Sequence, residues 1–117
     1  MTTVYHELLA DCYLLILVPG GMGDSEKALD QALSRASRSG KPTVWVDCQR
    51  LGTLTAEAAA LLSAYHQQLG RQGVRLMLSS VSEAARQELR RQAPSQRMRI
   101  VSMLPPAVAL QPLPLAG

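Results

Sequence analysis

The sequence predicts one α/β domain built on a mainly parallel mixed β-sheet, with an antiparallel N-terminal hairpin and three helices. Two observations predict it. Short β-rich runs alternate with stripes of apolar residues at helical spacing, in the order β-β-α-β-α-β-α-β. The chain has 117 residues, the size at which one hydrophobic core closes.

Residues 4–9 and 13–18 are β-rich and are separated by Ala10, Asp11 and Cys12, a spacing that suits a short hairpin. The second run is apolar on both faces, as expected of an interior strand. Pro19, Gly20, Gly21, Met22 and Gly23 break it, and Asp24 is expected to cap a first helix with Glu26 in its first turn. Ala28, Leu29, Ala32, Leu33 and Ala36 form that helix's apolar stripe. Gly40 and Pro42 end it. Thr43-Val44-Trp45-Val46-Asp47-Cys48 reads as a buried strand.

After a loop over residues 49–54, Thr55 can cap a second helix with the stripe Ala58, Leu61, Leu62, Tyr65 and Leu69, which closes around Gly70 and Gly73. Residues 74–78 make a fourth strand. Ser80 and Glu83 have the spacing of a capping box for a third helix with the face Val81, Ala85 and Leu89. Pro94 stops it, and residues 98–101 can form a short strand at the sheet edge. The expected domain is 1–103. Residues 104–117 read as a proline-rich tail without charge, expected to be extended or disordered.

Composition narrows the function. With 47% hydrophobic and 18% charged residues the chain is that of an ordinary globular protein, and with no Phe and one Trp its core has to be aliphatic. The net charge of +3 is small, its arginines are scattered through the second half, and the stacking aromatics of RNA or single-strand binders are absent, so no nucleic-acid partner is expected. No segment approaches the roughly 20 apolar residues that cross a bilayer, and the N-terminus lacks a signal-peptide pattern, so the expectation is a cytoplasmic protein without direct membrane insertion. Cys12 and Cys48, far apart and without CxxC or a flanking His, read as buried thiols in a reducing compartment.

Three local patterns, in order and spacing together, resemble the STAS family, the domain of bacterial anti-sigma-factor antagonists and of sulfate-transporter tails. The patterns are Val44-Trp45-Val46-Asp47, residues 51–62, and Gly73-Val74-Arg75-Leu76-Met77-Leu78 followed by residues 82–89; the resemblance spans about residues 4–102. It implies a STAS-like fold and a regulatory module that docks on a protein through the 49–63 loop and second helix. The implied partner is an anti-sigma factor of the GHKL kinase type; a transporter subunit, in a lipid or small-molecule pathway, is the alternative. A monomer or weak dimer is expected, with no cofactor and no metal.

The chain departs from the family pattern where the family is regulated. Anti-sigma-factor antagonists usually carry Asp-Ser-Ser-Gly or Asp-Thr with Gly at the start of the second helix, the first hydroxyl being phosphorylated. In register with them, Thr55 stands at the Asp, Ala56 at the phosphoacceptor, and Glu57 and Ala58 at the Ser-Gly. Alanine has no hydroxyl, so the usual charge switch is missing there. Thr53 and Thr55 flank the position and are the remaining phosphorylation candidates, although Thr55 also serves as a cap. Asp47 resembles the family's structural Asp beside the helix start.

Ala56, Ala60, Ser63 and Gln67 lie at helical spacing opposite the core stripe. Small side chains there would let a partner backbone approach closely. Asp47, Cys48, His6 and His66 are the candidates for an acid, base or nucleophile, and no pair has motif spacing, so no enzyme is expected. The 20–25 glycine run fits neither phosphate-binding pattern, and Asp24 would repel a phosphate. Arg86, Arg90 and Arg91 read as a solvated face.

Overall fold

A computed structural model of the chain describes residues 2–9, 11–20, 26–93 and 98–101. Asp24 as a cap, the glycine run over 21–25, Pro94 as a stop and the tail over 104–117 lie outside the described residues. The hairpin joins β1 (Thr2–Leu8) to β2 (Cys12–Pro19), and the chain continues through α1 (Lys27–Ser37), β3 (Thr43–Asp47), α2 (Ala56–Arg71), β4 (Arg75–Ser79), α3 (Glu83–Gln92) and β5 (Arg99–Val101). The five strands lie side by side in chain order, β1 antiparallel to β2 and every later pair parallel. This is the predicted sheet.

That order decides where the helices go. A right-handed crossover between neighbouring parallel strands, repeated in one direction across a sheet, puts its helix on the same face each time. The main core follows from it: Tyr13, Leu15 and Leu17 of β2, Val44 and Val46 of β3, and Leu76 and Leu78 of β4 meet Leu29 and Leu33 of α1, Ala58, Ala59 and Leu62 of α2, and Ala85 and Leu89 of α3. The alternate side chains Cys12, Leu14 and Trp45 form a smaller cluster on the opposite face, with Ile16, Met77 and Val101 packed against it. The strand order also never reverses. The crevice at which doubly wound sheets bind nucleotides arises at such a reversal, so this topology does not create one.

Local chemistry accounts for the helix ends, with two corrections. At the end of α2 the Val74 amide donates to the Leu69 carbonyl (2.9 Å) and the Gly73 amide to that of Gly70 (3.1 Å), the paired bonds of a Schellman motif; Gly73 takes the required positive φ, 78°. The expected Ser80–Glu83 capping box does not form. Ser80 sits in the left-handed region (φ 57°) of the turn after β4, and Ser82 caps α3, accepting from the Ala85 amide at 3.1 Å. Glu26 is the other correction, since it precedes α1, caps nothing with its side chain, and is fully buried.

The α2 stripe is wider than its spacing suggests. Ala59 and Ser63 are buried, whereas Leu61 and Tyr65 are only half-buried. The reason is position: α2 packs against α1 on one side and α3 on the other, and Met98 closes over Ser63, so burial extends round the side away from Tyr65. Tyr65 instead spans to α1, its hydroxyl donating to the Asp30 carboxylate at 2.7 Å. Burial, and then that carboxylate, push its phenol above the ordinary value.

Cys48, directly after β3, lies fully buried inside the core, and burial followed by the charge of Asp47 pushes its thiol up to about 12. Unfolded, the same thiol ionises near its ordinary value of 9.0. The linked stability is therefore complete below pH 9 and is lost as pH rises toward 12, at up to about 1.4 kcal/mol per pH unit. Cys12 and Tyr65, also raised, add in the same direction. Urea melts over this range are expected to show a slope that flattens in Cys48→Ala; an unchanged slope would exclude the thiol as its source.

Candidate functional site

The site is the segment that leaves the C-terminal end of β3, crosses residues 48–55 and enters α2. Each of its turns is held from a different element. The Gln49 amide donates to Asp47 Oδ1 at 3.0 Å, so the buried carboxylate at the strand end fixes the first turn. Leu51 and Leu54 are buried and anchor the loop in the main core. Between them the Gly52 carbonyl accepts from the Ser82 hydroxyl at 2.7 Å. One side chain thus caps α3 and ties it to the loop.

At the start of α2, Thr55 Oγ1 accepts from the Ala58 amide at 3.0 Å and donates to Glu26 Oε2 at 2.8 Å. The two functions are compatible because a hydroxyl is both donor and acceptor. This contact joins the entrance of α1 to that of α2 across 29 positions of sequence. The spacing of the apolar stripes contains no trace of it. A charged residue in front of a helix reads as a surface group, and only the packing of the two helix entrances brings Glu26 under Thr55.

The expected site residues divide into two groups. Thr53, Ala56, Glu57, Ala60 and Gln67 are exposed, and Thr55 is exposed with its hydroxyl turned inward. Ser63 is the exception. It is buried, its hydroxyl toward Met98 Sδ at 4.0 Å, and it is not part of the exposed face of α2. That face is formed by Ala56, Ala60 and Gln67, with Thr53 exposed on the adjoining loop.

The candidate acid, base and nucleophile residues do not converge. His6 lies on β1, stacked on Tyr13 with ring centroids 5.8 Å apart, while His66 is half-buried in the second half of α2. Asp47 is occupied by its loop amide, and the Cys48 thiol is held protonated. Among the described residues no group of three or more His, Cys, Asp or Glu side chains could hold a metal ion, and no helix is long and apolar enough to cross a membrane. On α3, Arg90 pairs with Glu83 at 3.1 Å, both exposed, and Arg91 pairs with the half-buried Glu88 of the same helix. This arginine cluster is partly neutralised by its own helix.

Comparison with solved structures places the architecture. An anti-sigma factor antagonist from Mycobacterium paratuberculosis superposes with a TM-score of 0.75 at 16% identity, over 93% of this chain and 92% of that one. The chain has the STAS fold. The RsbS protein of Moorella thermoacetica superposes at 0.69 with 12% identity, over 90% and 93% of the two chains. The antagonist SpoIIAA, in its unphosphorylated form, does so at 0.67 with 14% identity, over 98% and 100%. No protein-family model and no curated protein sequence matches the chain.

Proposed function

We propose that this STAS-fold chain is a regulatory binding module of the anti-sigma-factor antagonist kind, docking on a kinase-type anti-sigma factor in the cytoplasm and so influencing sigma-factor release and transcription. The docking surface is the 49–55 loop with Thr53, continuing over Ala56, Glu57, Ala60 and Gln67 of α2. One observation carries this reading: the loop is tied down by Asp47, Ser82 and two buried leucines while its neighbouring helix face is left open and small. Binding surfaces gain affinity when they are ordered beforehand. The descriptions of the M. paratuberculosis and SpoIIAA neighbours as anti-sigma factor antagonists support the same role.

Binding in this proposal is not switched by phosphate at the entrance of α2. Ala56 offers no hydroxyl, and the Thr55 hydroxyl is engaged on both sides, by Ala58 and by Glu26. Phosphorylation of Thr55 would remove a cap and set a dianion beside a buried carboxylate. Thr53, although exposed, lies on the loop two residues before the helix cap, and in this proposal it too stays unmodified.

Calorimetric titration against the cognate anti-sigma kinase tests the proposal. Ala60→Arg is expected to weaken binding at least about tenfold, or 1.4 kcal/mol, without lowering thermal stability. Incubation of the native chain with the kinase and ATP should leave its intact mass unchanged. Absence of binding by the native chain would refute the role; a phosphate on Thr55 would refute the constitutive mode.

A further inference from the structure

Among the described residues, Tyr5 and Leu8 are the large apolar side chains that remain exposed, at 60% and 59%, and both lie on β1. β1 is an edge of the sheet, with β2 on one side. Few of the usual protections of an edge occur in it: residues 2–8 contain no Lys and no Pro and one acidic side chain, Glu7, and the pairing with β2 runs without a bulge from Thr2↔Pro19 to Leu8↔Tyr13. The opposite edge, β5, is three residues long and carries exposed Arg99. Only one of the two edges is blunted.

The direction of the unused backbone groups follows from the hairpin. The Leu9 amide donates to the Cys12 carbonyl at 2.9 Å, which makes these two residues a hydrogen-bonded pair. In an antiparallel ladder such pairs alternate with non-bonded ones, so the bonded pairs further along are Glu7↔Leu14, Tyr5↔Ile16 and Thr3↔Val18. Thr2, Val4, His6 and Leu8 therefore point their N–H and C=O groups outward. We infer that β1 pairs with β1 of a second copy, antiparallel and centred on His6, to extend the sheet across a two-fold axis.

That register is self-complementary at each level. It sets His6 opposite His6 and Val4 opposite Leu8 of the second copy, so Val4, His6 and Leu8 exchange ladder bonds. Val4 packs on the helix-side core, and by alternation Leu8 lies on the same face, so Leu8 is covered by Val4 of the other chain. Tyr5 falls opposite Glu7 on the other face, where the aromatic ring covers the aliphatic part of the carboxylate side chain. A register centred on Tyr5 pairs the same outward groups but sets Leu8 opposite Thr2, so the apolar cover of Leu8 selects the register centred on His6. An interface of one strand pair buries less than about 1,000 Å², so the dimer is weak, with a dissociation constant on the order of 0.1 mM.

Sedimentation velocity of the full chain from about 5 to 500 µM brackets that range. Conversion from monomer to dimer is expected, with the His6 amide exchanging more slowly at the high end. His6→Pro removes an outward N–H while leaving the β1–β2 ladder intact, and should keep the chain monomeric throughout with a native circular dichroism spectrum. Leu8→Lys, at an already exposed position, should weaken the dimer at least about tenfold without touching the backbone. A monomer at every concentration, assemblies larger than a dimer, or a dimer of unchanged strength in Leu8→Lys would overturn the inference.

Discussion

Ala59→Arg is expected to abolish folding, whereas Ala60→Arg, one position on, should leave the melting temperature within about 2 °C of the parent, as surface changes do. Ala59 is fully buried between α2 and the rest of the main core, and its neighbour is exposed. An arginine at 59 has to bury an unpaired guanidinium or push α2 off the sheet, and either costs more than about 4 kcal/mol. At 60 the same side chain projects into water. Thermal melts of the two variants, with circular dichroism to detect residual structure, decide between this orientation of α2 and one rotated toward Leu61. A native-like melt for Ala59→Arg would refute it.

Thr55→Val should lower stability by about 2–3 kcal/mol, because one substitution removes an N-cap, typically about 1 kcal/mol, and takes a hydroxyl donor from the buried Glu26 carboxylate. Thr55→Ser keeps both bonds and should lose little. The second half of the effect can be isolated. Glu26→Met replaces the carboxylate by an apolar side chain of similar length, and in a double-mutant cycle it should return about 1 kcal/mol of the Thr55→Val loss. Urea denaturation of the four proteins provides the numbers. Strict additivity of the two substitutions would exclude a coupling between the entrances of α1 and α2.

The architecture was largely legible because it is written in local patterns. Alternating and helical periodicities separate Leu15, Leu17, Val44 and Val46 from Leu29, Leu33, Leu62 and Leu89, and chain order with the handedness of crossovers then leaves few ways to arrange the strands. Thr55 as the cap of α2 was equally legible, since a hydroxyl just before an apolar helix has one common use. Ser80 was misleading for the same reason. The capping pattern was present at the wrong pair of residues, and the left-handed turn after β4 moved the helix start to Ser82.

The proposed site was legible as a segment and less so residue by residue. Its boundaries follow from Asp47 and Thr55, but the exposed side of α2 could not be placed from spacing, because α2 has a helix on each flank and Ser63 falls beneath Met98.

Local chemistry along the chain was thus enough for the element order and the sheet, since these depend on which side chains occur at which intervals. Contacts between distant segments were settled in three dimensions: Glu26 beneath Thr55, Ser82 holding Gly52, Ser63 inside, and Tyr5 and Leu8 left on an open edge. Periodicity tells a residue which way to face relative to its own helix or strand. What it meets there depends on how the elements pack, and that information is held by no single stretch of the chain.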